Sequence, residues 1–236
     1  MRLPISLKSL LDNASVRPSS HITATALLTL VLIILEEQEA TTRLKAFVPH
    51  LSSLELIERM DVLEAIKGRR SVRAFKSDEN VSEKTVEELI DAARWAPSAG
   101  NIQPWEFIAV RKPETKRRLA EAAFKQSFID EAPVVIVVCA DENRSSLGYG
   151  QRGKTLYCIQ DTAAAIQNIH LAARSLGLGT CWVGAFKEEE AREILNIPQG
   201  IRPVALIPVG HPLRIPSPRS RRAVDQIVHR EVFHAE

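Results

Sequence analysis

The stretch GRRSVRAFK gathers Arg69, Arg70, Arg73 and Lys76 into one short segment of a chain whose formal net charge is only +2. Cations that close together repel each other unless water or an anion lies among them. Arg69, Ser71 and Arg73 alternate, so in extended chain their side chains share one face. Two guanidiniums and a hydroxyl converging on one side suit a phosphate monoester, because Arg offers fork-shaped donors to its oxygens. A solvated surface turn is the plain alternative. A second stretch, PSAGNIQPW from Pro97 to Trp105, joins small residues that permit close backbone approach to Asn101 and Gln103. Those amides can read the donors and acceptors of a heterocycle, although the stretch also reads as a proline-punctuated helix–strand connection. A third, PRSRR from Pro218 to Arg222, reads alone as a solvated basic tail.

Other signatures carry less. GYGQRGKT, Gly148 to Thr155, satisfies the phosphate-loop pattern G-x-x-x-x-G-K-[ST]. A true phosphate loop leaves a strand directly, whereas DENRSSL intervenes here, and no later strand ends in an Asp that would hold Mg²⁺. A polar, mobile surface loop is the expectation, with a nucleotide hydrolase kept as the alternative. The dinucleotide fingerprint fails because Trp182 stands where the third glycine belongs, and because Gly177 and Gly179 lie between a helix and a strand. Ser71 and Ser98 lack a G-x-S-x-G context. The six His show no metal-ligand spacing, so no metal is assigned. Cys139, Cys158 and Cys181 read as buried free thiols in a reduced, cytoplasmic setting.

The elements that must position these residues are legible from Met60 onward. Asp61 followed by Glu64 reads as a helix start, with Val62, Leu63 and Ile66 as its apolar face and Gly68 as its stop. A second helix opens at Ser82, with Val81 and Val86 at staple spacing, and ends before Pro97. WEFIAV (105–110) and PVVIVVCA (133–140) read as strands, the second apolar on both faces and therefore central. Between them lies a helical ETKRRLAEAAF. A long helix runs from Thr155 to Leu176, with His170 among its apolar positions, and Gly177 and Gly179 end it. TCWVGAF (180–186) is the next strand, followed by a short helix 187–195 and the strand PVALIPVG (203–210). Irregular alternation of helices and strands fits one α+β domain.

Bulk properties agree. Lys and Arg number 31 against 29 Asp and Glu, which argues against a general nucleic-acid binder. Residues 1–59 differ from the rest. Their apolar run from Ile22 to Leu35 is short of the roughly 20 residues that a membrane helix needs. A helical extension packed on the body or a partner, an over-long gene start whose true first residue is Met60, and a membrane or export signal all remain open.

Taken in order, RRSVRAF, PSAGNIQPW, GLGTCWVGAF and VGHP…PRSRR resemble the nitroreductase family of FMN-dependent oxidoreductases, from Met60 to about Phe233. The resemblance implies a central, mostly antiparallel sheet flanked by helices in 60–236. It implies that Arg69, Arg70, Ser71 and Arg73 hold the FMN phosphate and ribityl chain, with Arg73 reaching the flavin N1/O2 edge. Arg219 and Arg221 would return to the same phosphate. Pro97, Ser98, Ala99 and Asn101 would come from the partner of a homodimer to line the isoalloxazine. Trp182, Val183, Gly184 and Ala185 would lie along the ring, and Gln126 would touch the flavin. Well-known members carry Glu-Gly where Gly184 and Ala185 stand. The implied activity is electron transfer from NAD(P)H through FMN to a nitroaromatic, quinone or enone, by a ping-pong cycle. A flavin-binding module without turnover is a further alternative, and no protein acid–base catalyst is assigned.

Overall fold

The computed structural model describes residues 60–233; the expected N-terminal extension, 1–59, lies outside them. The chain opens with α1 (Val62–Gly68), started by Asp61, whose carboxylate accepts from the N–H groups of Leu63 and Glu64. Helix α2 (Glu83–Arg94) is capped by Ser82, which accepts from the Thr85 N–H, and both Val81 and Val86 are buried as the staple spacing requires. Next come β1 (Trp105–Val110), α3 (Pro113–Ala122), the single turn α4 (Phe128–Glu131) and β2 (Val134–Asp141). Helices α5 (Glu142–Arg152) and α6 (Cys158–Ser175) lead to β3 (Gly179–Thr180), α7 (Glu188–Leu195) and β4 (Ile201–Gly210).

The four strands form one sheet in the order β1-β2-β4-β3, antiparallel at every ladder. The expected central strand is β2, whose residues Val134 to Ala140 are all buried. Alternation divides them between two apolar layers. Val135, Val137 and Cys139 face Leu119, Ile129 and Ala191 from α3, α4 and α7. Val134, Ile136 and Val138 face Val86 and Leu89 of α2 and Ile166 and Ile169 of α6. Each fully buried Ile or Leu in these layers contributes about 1.5–3 kcal/mol of transfer free energy. The β2–β4 register shifts between Val138 and Cys139, next to Pro203, a residue that cannot donate to a ladder.

Four local expectations need correction. Val62, Leu63 and Ile66 do not face this core: they are 60%, 57% and 49% exposed, and Ala65 is the residue that α1 buries. Gly68 is the last helical residue and has no positive φ; its missing side chain leaves room for Arg174, whose Nε would lie 3.1 Å from an added Cβ. The segment 148–155 is not a loop. It continues α5 across a break at Tyr149 and Gly150, then passes through a π turn (Gly153–Tyr157) into α6. Gly153 is pressed on the Ser145 backbone, and Lys154 is paired with Glu142 at 3.6 Å. Amides engaged in helical turns cannot cradle phosphates, so the phosphate-loop reading loses its premise. Finally, TCWVGAF is not a continuous strand. The ladder covers Gly179–Thr180 and resumes only as one bridge, Val183 with Leu206, while the Trp182 ring stands against His170.

The end of α6 follows the sequence closely. Gly177 takes φ +72°, the Leu178 N–H bonds the Ala173 carbonyl and the Gly177 N–H bonds that of Arg174. This is a Schellman closure, sealed by the burial of Leu178 and Ala173 in one apolar layer. It delivers Gly179 against Val72, where an added Cβ would lie 2.8 Å from the valine side chain. Gly179→Ala is expected to lower stability by about 1–3 kcal/mol through overpacking. Gly184→Ala, whose methyl would meet only the Trp182 indole at 3.9 Å, should stay within about 0.5 kcal/mol of the parent. Urea midpoints of the two variants check this; equal midpoints would refute the tight Val72 contact.

Candidate functional site

The arginine turn is held at three points. At its start Arg70 donates to the carbonyls of Lys67 and Arg69, placing a cation on the negative end of α1. In the middle, the Val72 N–H donates to the Thr180 carbonyl at 2.9 Å and Ser71 pairs with Thr180 in parallel register. At its far end Phe75 bridges Pro212, the Lys76 N–H donates to His211 and the Leu213 N–H to Ala74. Val72 and Phe75 point into the core, which leaves Ser71 half-buried and Arg73 exposed on the other side. The expected alternation holds from Ser71 to Arg73 and breaks at Phe75, which is buried although it falls on the same side of a strict alternation. The Arg73 guanidinium rests 5.7 Å from the centre of the Phe128 ring, a cation–π contact that steadies it.

Charge is distributed unevenly around this turn. Lys76 pairs with Glu79, Arg111 with Glu83 and Arg202 with both oxygens of Glu188. No ion pair joins Arg69, Arg70, Arg73 or Arg174 to a carboxylate among the described residues.

Behind the turn lies a residue that the sequence showed only as one position on a helix face. His170 is 2% exposed, and its Nδ1 is 2.7 Å from the Thr180 hydroxyl. Its Nε2 is buried without a hydrogen-bond partner. Burial first, and the charge of Arg69 second, hold the imidazole down to about 4 from its usual 6.5, so it is neutral at physiological pH. The only signal available in advance was a histidine at an otherwise apolar helical position.

The stretch 97–103 is wound tightly. Gly100, Asn101 and Gln103 all have positive φ, at 57°, 55° and 55°, and a run of such residues stores strain at one place. Gly100 is required twice over, because an added Cβ would lie 2.6 Å from the Tyr149 hydroxyl. Ser98 accepts from the Gln103 N–H, and the Ala99 N–H donates to Asp161 on α6 at 3.2 Å. Asp161 is buried, with its second oxygen unpartnered, and desolvation raises its carboxyl above the usual range against the opposing pull of Ala99. Pro97 and Asn101 are exposed.

The third group, 182–185, presents Trp182, Gly184 and Ala185 outward and buries Val183, which exchanges both backbone hydrogen bonds with Leu206. Gln126 donates to the carbonyls of Ala123 and Ala185, so it is brought to this group. The thiol of Cys181 lies near Ser71 and Arg73, and burial raises it, which keeps it a protonated, unreactive group. Cys139, pushed up to about 12 chiefly by burial, and Cys158, raised for the same reason, are free buried thiols as expected.

The three stretches are not all assembled within one chain. Residues 69–73 and 182–185 meet through Thr180 and His170. No hydrogen bond, ion pair or ring contact joins 97–103 to either group among the described residues. Arg219 and Arg221 are exposed; Arg221 donates to the carbonyls of Arg219 and Ser220, and neither bonds the arginine turn. No cluster of metal-ligating side chains occurs among the described residues, and no described helix is long and apolar enough to cross a membrane.

Comparison with known proteins places this arrangement. The model of the Nitroreductase family matches residues 66–128 and 122–211. A relative in Methanothermobacter thermautotrophicus, carrying an NADH dehydrogenase/NAD(P)H nitroreductase name, is 37% identical over 72% of this chain and 87% of its own length. The FMN reductase [NAD(P)H] of Bacillus subtilis is 30% identical over 73% of this chain and 74% of its own. The solved NADPH:FMN oxidoreductase of Vibrio harveyi, complexed with NAD+, superposes with a TM-score of 0.68 at 25% identity, covering 74% of this chain and 78% of that one.

The neutral, buried His170 generates a test. Because its folded-state value lies below the unfolded one, the unfolded chain binds the extra proton first as pH falls. Stability is full above 6.5 and is lost as pH drops toward about 4, by on the order of 3 kcal/mol. His170→Gln should lack this component, as read by urea unfolding at several pH values. An identical pH slope in both proteins would refute it.

Proposed function

We propose, since this chain belongs to the nitroreductase family, that it is a flavin-dependent NAD(P)H oxidoreductase that binds FMN and works as a homodimer. The observation that carries this reading is a carboxylate-free set of cations: Arg69, Arg70 and Arg174 line one crevice, and Arg69 and Arg73 both lie near Cys181, next to the 182–185 segment. The residues fit the group: the crevice at Arg69 holds an orphaned buried nitrogen on His170 and no acidic side chain, which is the donor set a phosphate requires.

Arg69, Arg70 and Ser71 would hold the phosphate and ribityl chain, joined by Arg219 and Arg221. Arg70 already donates to two carbonyls, so its share is smaller than that of Arg69. FMN, when bound, supplies the two-electron hydride chemistry, and the protein supplies orientation and electrostatics. Arg73, held by Phe128, would stabilise negative charge at the N1/O2 edge. The N–H of Val183 is spent on Leu206, so a backbone donor to N5 from this segment would come from Trp182, Gly184 or Ala185.

Pro97, Ser98, Ala99 and Asn101 would line the ring from the second subunit, which accounts for their separation from residues 69–73 within one chain. NAD(P)H and the acceptor, a nitroaromatic, quinone or enone, would use the same open face in turn, with protons from solvent. Gln126, tied to Ala185, would border that face.

The purified protein should be yellow, or become so with FMN, and should bleach on anaerobic addition of NADH or NADPH. A colourless protein that FMN does not reconstitute would overturn the reading; a yellow one that neither nucleotide bleaches would leave a flavin carrier without turnover. Arg69→Ala should raise the FMN Kd about tenfold, the loss of one charge-assisted contact. Arg73→Ala should chiefly slow bleaching in stopped-flow measurements, about tenfold or more.

A further inference from the structure

Helix α6 carries His170 and Arg174 one turn apart, so both reach the same side of the helix. Together with Arg69, Arg70, Gly179 and Thr180 they wall a crevice of about 20 Å³ beneath the arginine turn. Within its walls His170 Nε2 and Arg174 Nε are both buried without a hydrogen-bond partner. Orphaned buried donors are rare in folded proteins, and two facing one space share one explanation. His170 Nδ1 and the Thr180 hydroxyl share one hydrogen bond; in the tautomer where Nδ1 accepts it, the neutral ring carries its proton on Nε2 and is a donor there. Arg174 can only donate.

The crevice therefore presents donors, three guanidiniums and no carboxylate. A space of about 20 Å³ accepts one oxygen-sized group, since about 10–15 Å³ holds one water. A water could fill it, but a water leaves three cations without a counter-charge. An anionic oxygen serves both orphans and the charge together. Arg174 also lies in the last turn of α6, where it offsets the partial negative charge of the helix end that would otherwise repel an anion.

We propose that His170 and Arg174 form the floor of a phosphoryl site, donating to one buried oxygen of the group that Arg69 grips from above. The inference rests on the flavin reading for the identity of the ligand, the 5′-phosphate of FMN, and adds a helix to a clamp otherwise built from the arginine turn and the tail. It gives a role to the glycine at position 68, because an added Cβ would lie 3.1 Å from Arg174 Nε and press on its guanidinium.

The test compares FMN with riboflavin, which lacks the phosphate, by flavin-fluorescence titration of the full chain. Arg174→Gln is expected to weaken FMN about tenfold while riboflavin changes less than about twofold, and Arg174→Lys to recover part of the loss. His170→Gln should lower the FMN-to-riboflavin ratio in the same direction. Arg174 is only half-buried, so its variant decides the matter should His170→Gln fail to fold. An unchanged ratio, or equal weakening of both flavins, overturns the phosphoryl role. If the parent binds neither flavin, the flavin reading fails on its own. The crevice is then judged with inorganic phosphate: a rise in Tm that Arg174→Gln abolishes supports the site, and no rise in the parent overturns it.

Discussion

Thr180 sits at the edge of the sheet and joins three parts of the molecule that the chain keeps far apart. Its carbonyl takes the Val72 N–H, its backbone pairs with Ser71 and its hydroxyl meets His170 on α6. It is 2% exposed, so each of these polar groups has exchanged water for a protein partner and would be costly to leave unpaired. Removing any one partner loosens the others. The arginine turn keeps its position because this buried residue is bonded on both sides, and the glycine before it allows Val72 to close over the top.

That support lets the protein concentrate charge where folding alone would disperse it. Elsewhere the cations have partners: Arg202 grips Glu188 with two nitrogens and Lys116, 7% exposed, spends its ammonium on the carbonyls of Asp130 and Ala132. Around the turn, guanidiniums face one another with no acid among them, an arrangement that costs stability until an anion enters. The strain in 97–103 and the orphaned oxygen of Asp161 belong to the same pattern of local cost. Sites of this kind are tolerated because the two apolar layers on β2 are well filled.

Much of this was legible in the residues. Asp61, Ser82 and Gly177 mark helix ends because capping and left-handed closure depend on side-chain chemistry within a few positions. The burial of β2 followed from an apolar run without alternation. The misreadings have a common origin. Val62, Leu63 and Ile66 have the spacing of a buried face, but spacing does not say whether the same chain supplies the surface they would pack on. GYGQRGKT reads as a polar surface loop rather than a true phosphate loop, and only the path of the backbone through a helix break and a π turn makes it helical. TCWVGAF has strand propensity, but only its first residue, Thr180, lies in the ladder, and Trp182 turns out of it against His170.

The sequence by itself determined most helix ends, the buried central strand, the α+β character and the resemblance that implied an antiparallel sheet, because capping, periodicity and ordered motifs act over short distances along the chain. It also determined that cations cluster at 69–73. Only the tertiary structure decided what stands behind them. His170 and Arg174 lie about a hundred positions further along, and nothing local marks a lone histidine on an apolar helix face as anything but core. Their meaning depends on desolvation and on missing partners, and both are properties of the packed molecule rather than of any segment. Folding turned a basic turn and an unremarked helix into two walls of one crevice, because burial at Thr180 fixes both to the same point.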